Sequence, residues 1–268
     1  MKTMNKVLKK PRKHFARVVF FASVSACLCG GIVGQNKKSS AGRDPVEHPQ
    51  RKPQPKRLFG PLGRITRQNV DEKSMRALIG KLVACGTRLT LSSWTDPRRG
   101  IGCGRDAIVA RFNEIAKDSG GKLQVVVDKF ESTSERTSGK PIPLENVYAL
   151  LPGSDPKLAK TIFIVSGHFD SRASNVMDPA LDAPGADDDA SGVAVSVECA
   201  RLLSRPEANG HRKFGSYRAT ILFAAVSGEE QGLLGSTHLV DWVKQQGYTV
   251  GGMLDDDIVG ADPAAEHR

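Results

Sequence analysis

Four short segments of this 268-residue chain carry imidazole and carboxylate groups in close succession. They read Gly167-His168-Phe169-Asp170-Ser171, Pro184-Gly185-Ala186-Asp187-Asp188-Asp189-Ala190-Ser191-Gly192, Ser227-Gly228-Glu229-Glu230-Gln231-Gly232 and Leu254-Asp255-Asp256-Asp257-Ile258-Val259-Gly260. Imidazole and carboxylate without thiolate form a ligand set for zinc or a similar divalent ion in an open, catalytic site. His168 and Asp170 stand two apart at a strand end, so both point to one side; His168 can bind a metal while Asp170 orients the imidazole. Asp187, Asp188 and Asp189 open a helix. One cap needs one carboxylate, and three in succession repel one another unless a cation is present. Adjacent Glu229 and Glu230 point to different sides. One can bind metal while the other takes a proton from metal-bound water, whose pKa a divalent ion lowers to about 7. Taken singly, these patterns are a polar strand end, a helix cap and a surface glutamate pair; their joint occurrence selects metal chemistry.

The elements that must position these groups follow from periodicity. Residues 161–165, 219–226 and 248–254 read as buried strands placed just before three of the four segments, and strand carboxyl ends in an open α/β sheet share the edge where ligands bind. Asp71 caps a helix through residue 84 on Met75, Leu78, Ile79 and Leu82, and a second runs from about residue 105 to 118 on Ile108, Val109, Phe112 and Ile115. Between them, residues 87–102 read as a Gly- and Pro-rich loop. Strands at 123–130 and 146–151 flank a polar, hairpin-like connection over 132–143, and further helices span 190–204 and about 233–246. Strands alternating with helices of this length predict an α/β fold, a largely parallel mixed sheet flanked by helices on both faces.

The formal charge of +10 divides unevenly. Of 39 Lys and Arg, 16 lie within residues 1–70 against only Asp44 and Glu47, a balance of +14; the remaining 23 meet 27 acidic residues, a balance of −4. The basicity belongs to the leader and linker, and no basic patch with interleaved aromatics exists, so nucleic acid is not an expected partner. Residues 1–35 read as a signal peptide or N-terminal anchor, with seven Lys and Arg from Lys2 to Arg17 ahead of the apolar run 18–34. An exported protein is expected, periplasmic, cell-surface or secreted, with a membrane tether as one option. Val24-Ser25-Ala26-Cys27 also resembles a lipoprotein box that would acylate Cys27. Residues 36–69 form a basic, Pro-rich linker, and 70–268 the folded domain. Outside the leader, Cys85, Cys103 and Cys199 allow one bridge, with Cys85 and Cys103 the expected pair.

Together, His168-Phe169-Asp170-Ser171, Gly185 to Gly192, Gly228-Glu229-Glu230-Gln231-Gly232-Leu233-Leu234-Gly235-Ser236 and Asp257-Ile258-Val259-Gly260 resemble the ordered motif set of the M28 family of zinc aminopeptidases. The resemblance implies a mixed-sheet α/β fold and two zinc ions in a site that removes N-terminal residues from peptides. His168 and Asp257 would bind one zinc, Asp188 would bridge both ions, and Glu230 would bind the second. Glu229 would be the general base, with Asp170 supporting His168. Asp187, Asp189, Asp255 and Asp256 match no ligand position and read as loop and cap residues; His211 and His238 read as ordinary surface or helix residues.

The sequence departs from the family in one respect. The second zinc takes a further His from a segment well after the fourth motif, and here only His267 follows, in the polar stretch 261–268. The reading at this stage is a C-terminally incomplete domain, by truncation or frame disruption, one completed by a partner segment, or a degenerate one. Truncation would leave the sheet with an uncovered edge or face. Two other functions stay open: a single-zinc enzyme of the glutaminyl-cyclase kind, and a peptide-binding pseudo-enzyme without turnover.

Overall fold

A computed structural model describes residues 69–205 and 217–260 of the chain. The leader with Cys27, the linker 36–69 as far as residue 68, His211 and the stretch 261–268 with His267 lie outside the described residues. Five strands form one sheet in the order β1-β2-β4-β3-β5: β1 Gln124–Ser132, β2 Ile142–Leu151, β3 Thr161–His168, β4 Thr220–Val226 and β5 Thr249–Asp255. β3 runs parallel to both β4 and β5, while β2 runs antiparallel to β1 and β4. The sheet is mixed, as expected, and its parallel part is the half that carries three of the four segments.

Helices α1 Glu72–Ala84, α2 Ile101–Asp118 and α3 Ala190–Ser204 lie on one face, and α4 Leu234–Gln245 on the other. On the first face, Leu78, Leu82, Ile108, Phe112 and Ile115 of α1 and α2 pack with Val193 and Val197 of α3 on Val147, Ala149, Phe223 and Ala225 of the sheet. On the second, Leu239 and Val243 of α4 meet Tyr148, Ile162, Ile164, Leu222 and Ala224. The central strand β4 is buried at every position, which explains its unbroken apolar sequence. Edge strand β5 has Val250, Met253 and Leu254 exposed. Among the described residues no helix is long and apolar enough to cross a membrane.

The start of α2 and the ends of the hairpin differ from the sequence reading. α2 begins at Ile101 rather than near Arg105, because the loop caps it from a distance. The Ile101 amide donates to Ser92 Oγ at 2.9 Å and the Gly102 amide to the Ser93 carbonyl at 3.0 Å. The hairpin is tighter than expected: Ser132 pairs with Ile142, so β1 and β2 absorb much of the polar connection. The loop over 87–102 touches the site loops through bridges from Thr87 to Ala183 and from Leu89 to Ser171. Cys85 and Cys103 are disulfide-bonded, joining the end of α1 to α2, and Cys199 is free. His238 is more than a surface residue: its Nε2 lies 2.9 Å from Asp128 and its ring stacks on Phe130, tying α4 to β1.

Candidate metal centre

Parallel strands β3, β4 and β5 end along one edge, with His168 beside Val226 and Ser166 beside Asp255. His168 is the last residue of β3 and is buried. Its Nδ1 lies 3.1 Å from the Asp170 main-chain carbonyl. A proton kept on Nδ1 and shared there would leave Nε2, once a cation displaces its own proton, with its lone pair facing outward, the tautomer a metal ligand needs. Nε2 stands 3.2 Å from Asp188 and 3.8 Å from Asp257, whose side chains are 46% and 50% exposed. One donor atom from each of these three residues falls within 4.8 Å of the others. A buried imidazole facing two solvent-open carboxylates is the donor chemistry of an open divalent-cation site, so the residues present fit such an ion.

The flanking aspartates hold the loops. Asp189 caps α3 by accepting the Gly192 amide at 2.8 Å, and its other oxygen accepts the His168 amide at 3.0 Å. The peptide between Asp188 and Asp189 is cis. Asp187 accepts the Gly260 amide at 2.8 Å, and Ser191 Oγ accepts the Val259 amide at 3.1 Å, which anchors the loop bearing Asp257. This loop also demands a glycine on α3, because a Cβ at Gly192 would lie 2.0 Å from the Asp256 carbonyl oxygen.

Asp170 is fully buried and faces β4's loop. Its Oδ1 accepts the Glu229 amide at 3.2 Å; its Oδ2 accepts the Glu230 amide at 3.1 Å and the Thr90 hydroxyl at 2.7 Å. One carboxylate thus fixes the backbone of both glutamates while its own carbonyl orients His168. Ser227, at the start of that turn, donates its amide to Asn146 Oδ1 at 2.9 Å, and Asn146 Nδ2 donates to the Gly235 carbonyl at 2.9 Å. Glu230 lies outside the three-residue cluster, with Arg172 Nη1 at 3.6 Å.

The electrostatics register the crowding. Burial alone would lower the His168 imidazole, but Asp170, Asp189 and Glu229 outweigh it and raise the pKa to about 10. Burial, then Asp188 and Asp170, push Glu230 up to about 7, and burial raises Glu229 as well. Burial lifts Asp189 to about 7 against the opposing pull of the Gly192 amide and His168. Carboxylates that resist ionisation together are those a cation would relieve.

The structure brings His168, Asp188 and Asp257 together, sets Asp170 behind them, and places Glu229 and Glu230 on the adjoining turn. It adds Arg88, Thr90 and Asn146, which motif spacing did not reveal. Arg88 is buried beneath the site, lowered to about 10 by desolvation and partly restored by Asp170, Asp189 and Asp188. The only available signal was the alternation Thr87-Arg88-Leu89-Thr90-Leu91 inside a stretch otherwise read as loop.

Residues 146–267 match Peptidase family M28. Over these residues the chain belongs to that family. A probable zinc metalloprotease of Pyricularia oryzae is 42% identical over 195 residues, covering 72% of this chain and 36% of the relative. Two solved structures share the fold at 22% identity and a TM-score of 0.53, each covering 72% of this chain: LapB of Legionella pneumophila, covered over 45% of its length, and a glutaminyl cyclase of Porphyromonas gingivalis, covered over 61%. The chain spans less than half the length of the curated relatives it matches. The M28 match begins within β2 and takes in every residue of the metal centre, while Arg88 and Thr90, which hold Phe169 and Asp170 from the 87–102 loop, precede it.

Proposed function

We propose that this M28 domain is the catalytic part of an exported, zinc-dependent aminopeptidase acting on peptides with a free N-terminus. The observation that carries the reading is the convergence of His168 Nε2, Asp188 and Asp257, with Glu229 and Glu230 held beside them by Asp170. His168, Asp188 and Asp257 would hold a first ion, and Asp188 with Glu230 would contribute to a second. Zinc held there would supply Lewis-acid activation of water and of the scissile carbonyl. Glu229 takes the proton from the attacking water and passes it to the leaving amine. Asp170 keeps Glu229 in place through its amide and keeps the Nδ1 proton of His168 directed away from the ligand side. Export rests on the charged and apolar leader, residues 1–35.

The test is zinc stoichiometry of the 268-residue chain alongside hydrolysis of an aminoacyl chromogenic amide. Turnover with zinc bound is expected, and Glu229→Gln should retain zinc while losing about 10²–10⁴-fold in kcat, the usual contribution of a general base. Zinc-loaded protein that leaves aminoacyl amides and free-amino peptides untouched ends this reading. Because the three clustered donors make one centre and Glu230 stands outside it, a single-zinc cyclase is the second reading. Conversion of an N-terminal glutamine peptide to its cyclic form, without amide hydrolysis, would select it.

A further inference from the structure

Among the described residues the buried guanidinium of Arg88 forms no direct ion pair, although Asp170, Asp189 and Asp188 lie near enough to favour its charge. The residue is 0% exposed, and its guanidinium donates to main-chain carbonyls while its amide donates to one hydroxyl. Nε donates to Phe169 at 2.7 Å, Nη1 to Leu82 at 3.0 Å and Pro184 at 2.7 Å, and Nη2 to Gly185 at 2.8 Å. Its own amide donates to Ser171 Oγ at 3.0 Å, and its carbonyl accepts the Ser171 amide at 3.1 Å. Phe169 directly follows His168, and Pro184-Gly185 begins the loop that delivers Asp188. A single rigid, planar fork therefore grips both polypeptide segments whose side chains face one another across the metal centre, and anchors them to the C-terminal turn of α1. The cradle is built for this side chain: a Cβ on Gly104 of α2 would come within 2.7 Å of Arg88 Cδ.

We propose that Arg88 is a positioning residue for the metal centre, setting the separation between the His168 and Asp188 donors before an ion arrives. A guanidinium presents several N–H groups in a fixed plane, whereas an ammonium offers a point charge on a flexible stem and cannot reach four carbonyls on three segments at once. The inference rests on the reading of His168, Asp188 and Asp257 as metal ligands. A purely structural arginine would lend stability to the loops but leave the affinity and geometry of the bound ion alone.

The experiment compares the wild-type chain with Arg88→Lys and Gly104→Ala, measuring zinc affinity by chelator competition, the visible absorption of the cobalt-substituted site, and thermal unfolding. Gly104→Ala leaves Arg88 present but crowds its stem, and Ala favours the helix, so it reports even where Arg88→Lys does not fold. Both variants are expected to bind zinc about 10–100-fold more weakly, the scale seen when a group supporting a metal ligand is removed, with an altered cobalt spectrum. Arg105→Lys, whose parent residue pairs with Glu145 on β2, is the control and should keep wild-type zinc affinity whatever its stability. Wild-type zinc affinity and cobalt spectrum in folded Gly104→Ala overturn the role of Arg88. A wild-type chain that binds neither zinc nor cobalt overturns the reading of the site itself.

Discussion

At the residue scale, Asp170 couples the turn bearing Glu229 and Glu230 to the end of β3 at His168. It is completely buried and receives three donors, from Thr90, Glu229 and Glu230. Removing the Thr90 hydroxyl leaves a buried carboxylate oxygen short of a partner, which costs about 1–3 kcal/mol. Thr90→Val, nearly equal in shape, should therefore lower stability by that amount in denaturant unfolding and reduce kcat more than it raises KM, since the turn bearing Glu229 loses its fixed anchor. An unchanged kcat would show that Asp170 holds the turn without Thr90. The HxD spacing pointed to His168 and Asp170 as partners, and they are. It could not show that His168 Nδ1 lies nearest the Asp170 carbonyl, at 3.1 Å, while Oδ1, 3.5 Å from the same nitrogen, also accepts the Glu229 amide, because that arrangement depends on the backbone path past the strand end. Arg88 and Thr90 escaped notice for a related reason: they act on the site from a segment about 80 positions earlier, and only tertiary contact joins the two.

At the scale of elements, the site depends on the segment between α1 and α2 as much as on the strand ends. The Cys85–Cys103 bridge closes that segment, which carries both Arg88 and Thr90, over a sequence separation of 18. Closing a loop of this length stabilises a fold by about 3 kcal/mol. Cys85→Ser with Cys103→Ser should lose roughly that much in denaturant unfolding, and zinc affinity should fall alongside it because the bridge frames the loop beneath the metal centre. Loss of stability with zinc affinity intact would confine the bridge to a structural role. Helical periodicity located α1 and α4 well, since each buries one apolar face; α3 is buried around most of its circumference. α2 began early because its first amides are capped by Ser92 and Ser93, a start signal that only the folded loop supplies. β4 and most of β3 were legible because burial on both sides makes them apolar; β5 read as buried from its apolar run, but it lies at the sheet edge and is exposed at six of its seven positions. The outer hairpin was less so, because β1 alternates between exposed and half-buried positions and its polar face reads as loop.

At the scale of the molecule, the sheet has an edge that the described residues do not cover. β5 pairs only with β3 among them, and Val250, Met253 and Leu254 are 51%, 46% and 68% exposed. Phe163 on β3 is 45% exposed beside it, and Leu233 and Val240 of the α4 region extend the apolar surface on the other face. From Tyr248 to Leu254 no residue is charged, so nothing in this stretch repels a second strand. An unpaired, apolar, uncharged edge is a template for strand addition. The 268-residue chain on its own should therefore self-associate with rising concentration, as light scattering coupled to size exclusion would show. Met253→Lys places a charge on the exposed strand and removes a side chain whose burial contributes about 1.5–3 kcal/mol, enough for at least a tenfold weaker association. Zinc binding should be unaffected, because Met253 points to the α4 face and His168, Asp188 and Asp257 lie at or beyond the strand ends. A chain that stays monomeric at high concentration would show that residues outside the described set already cover β5.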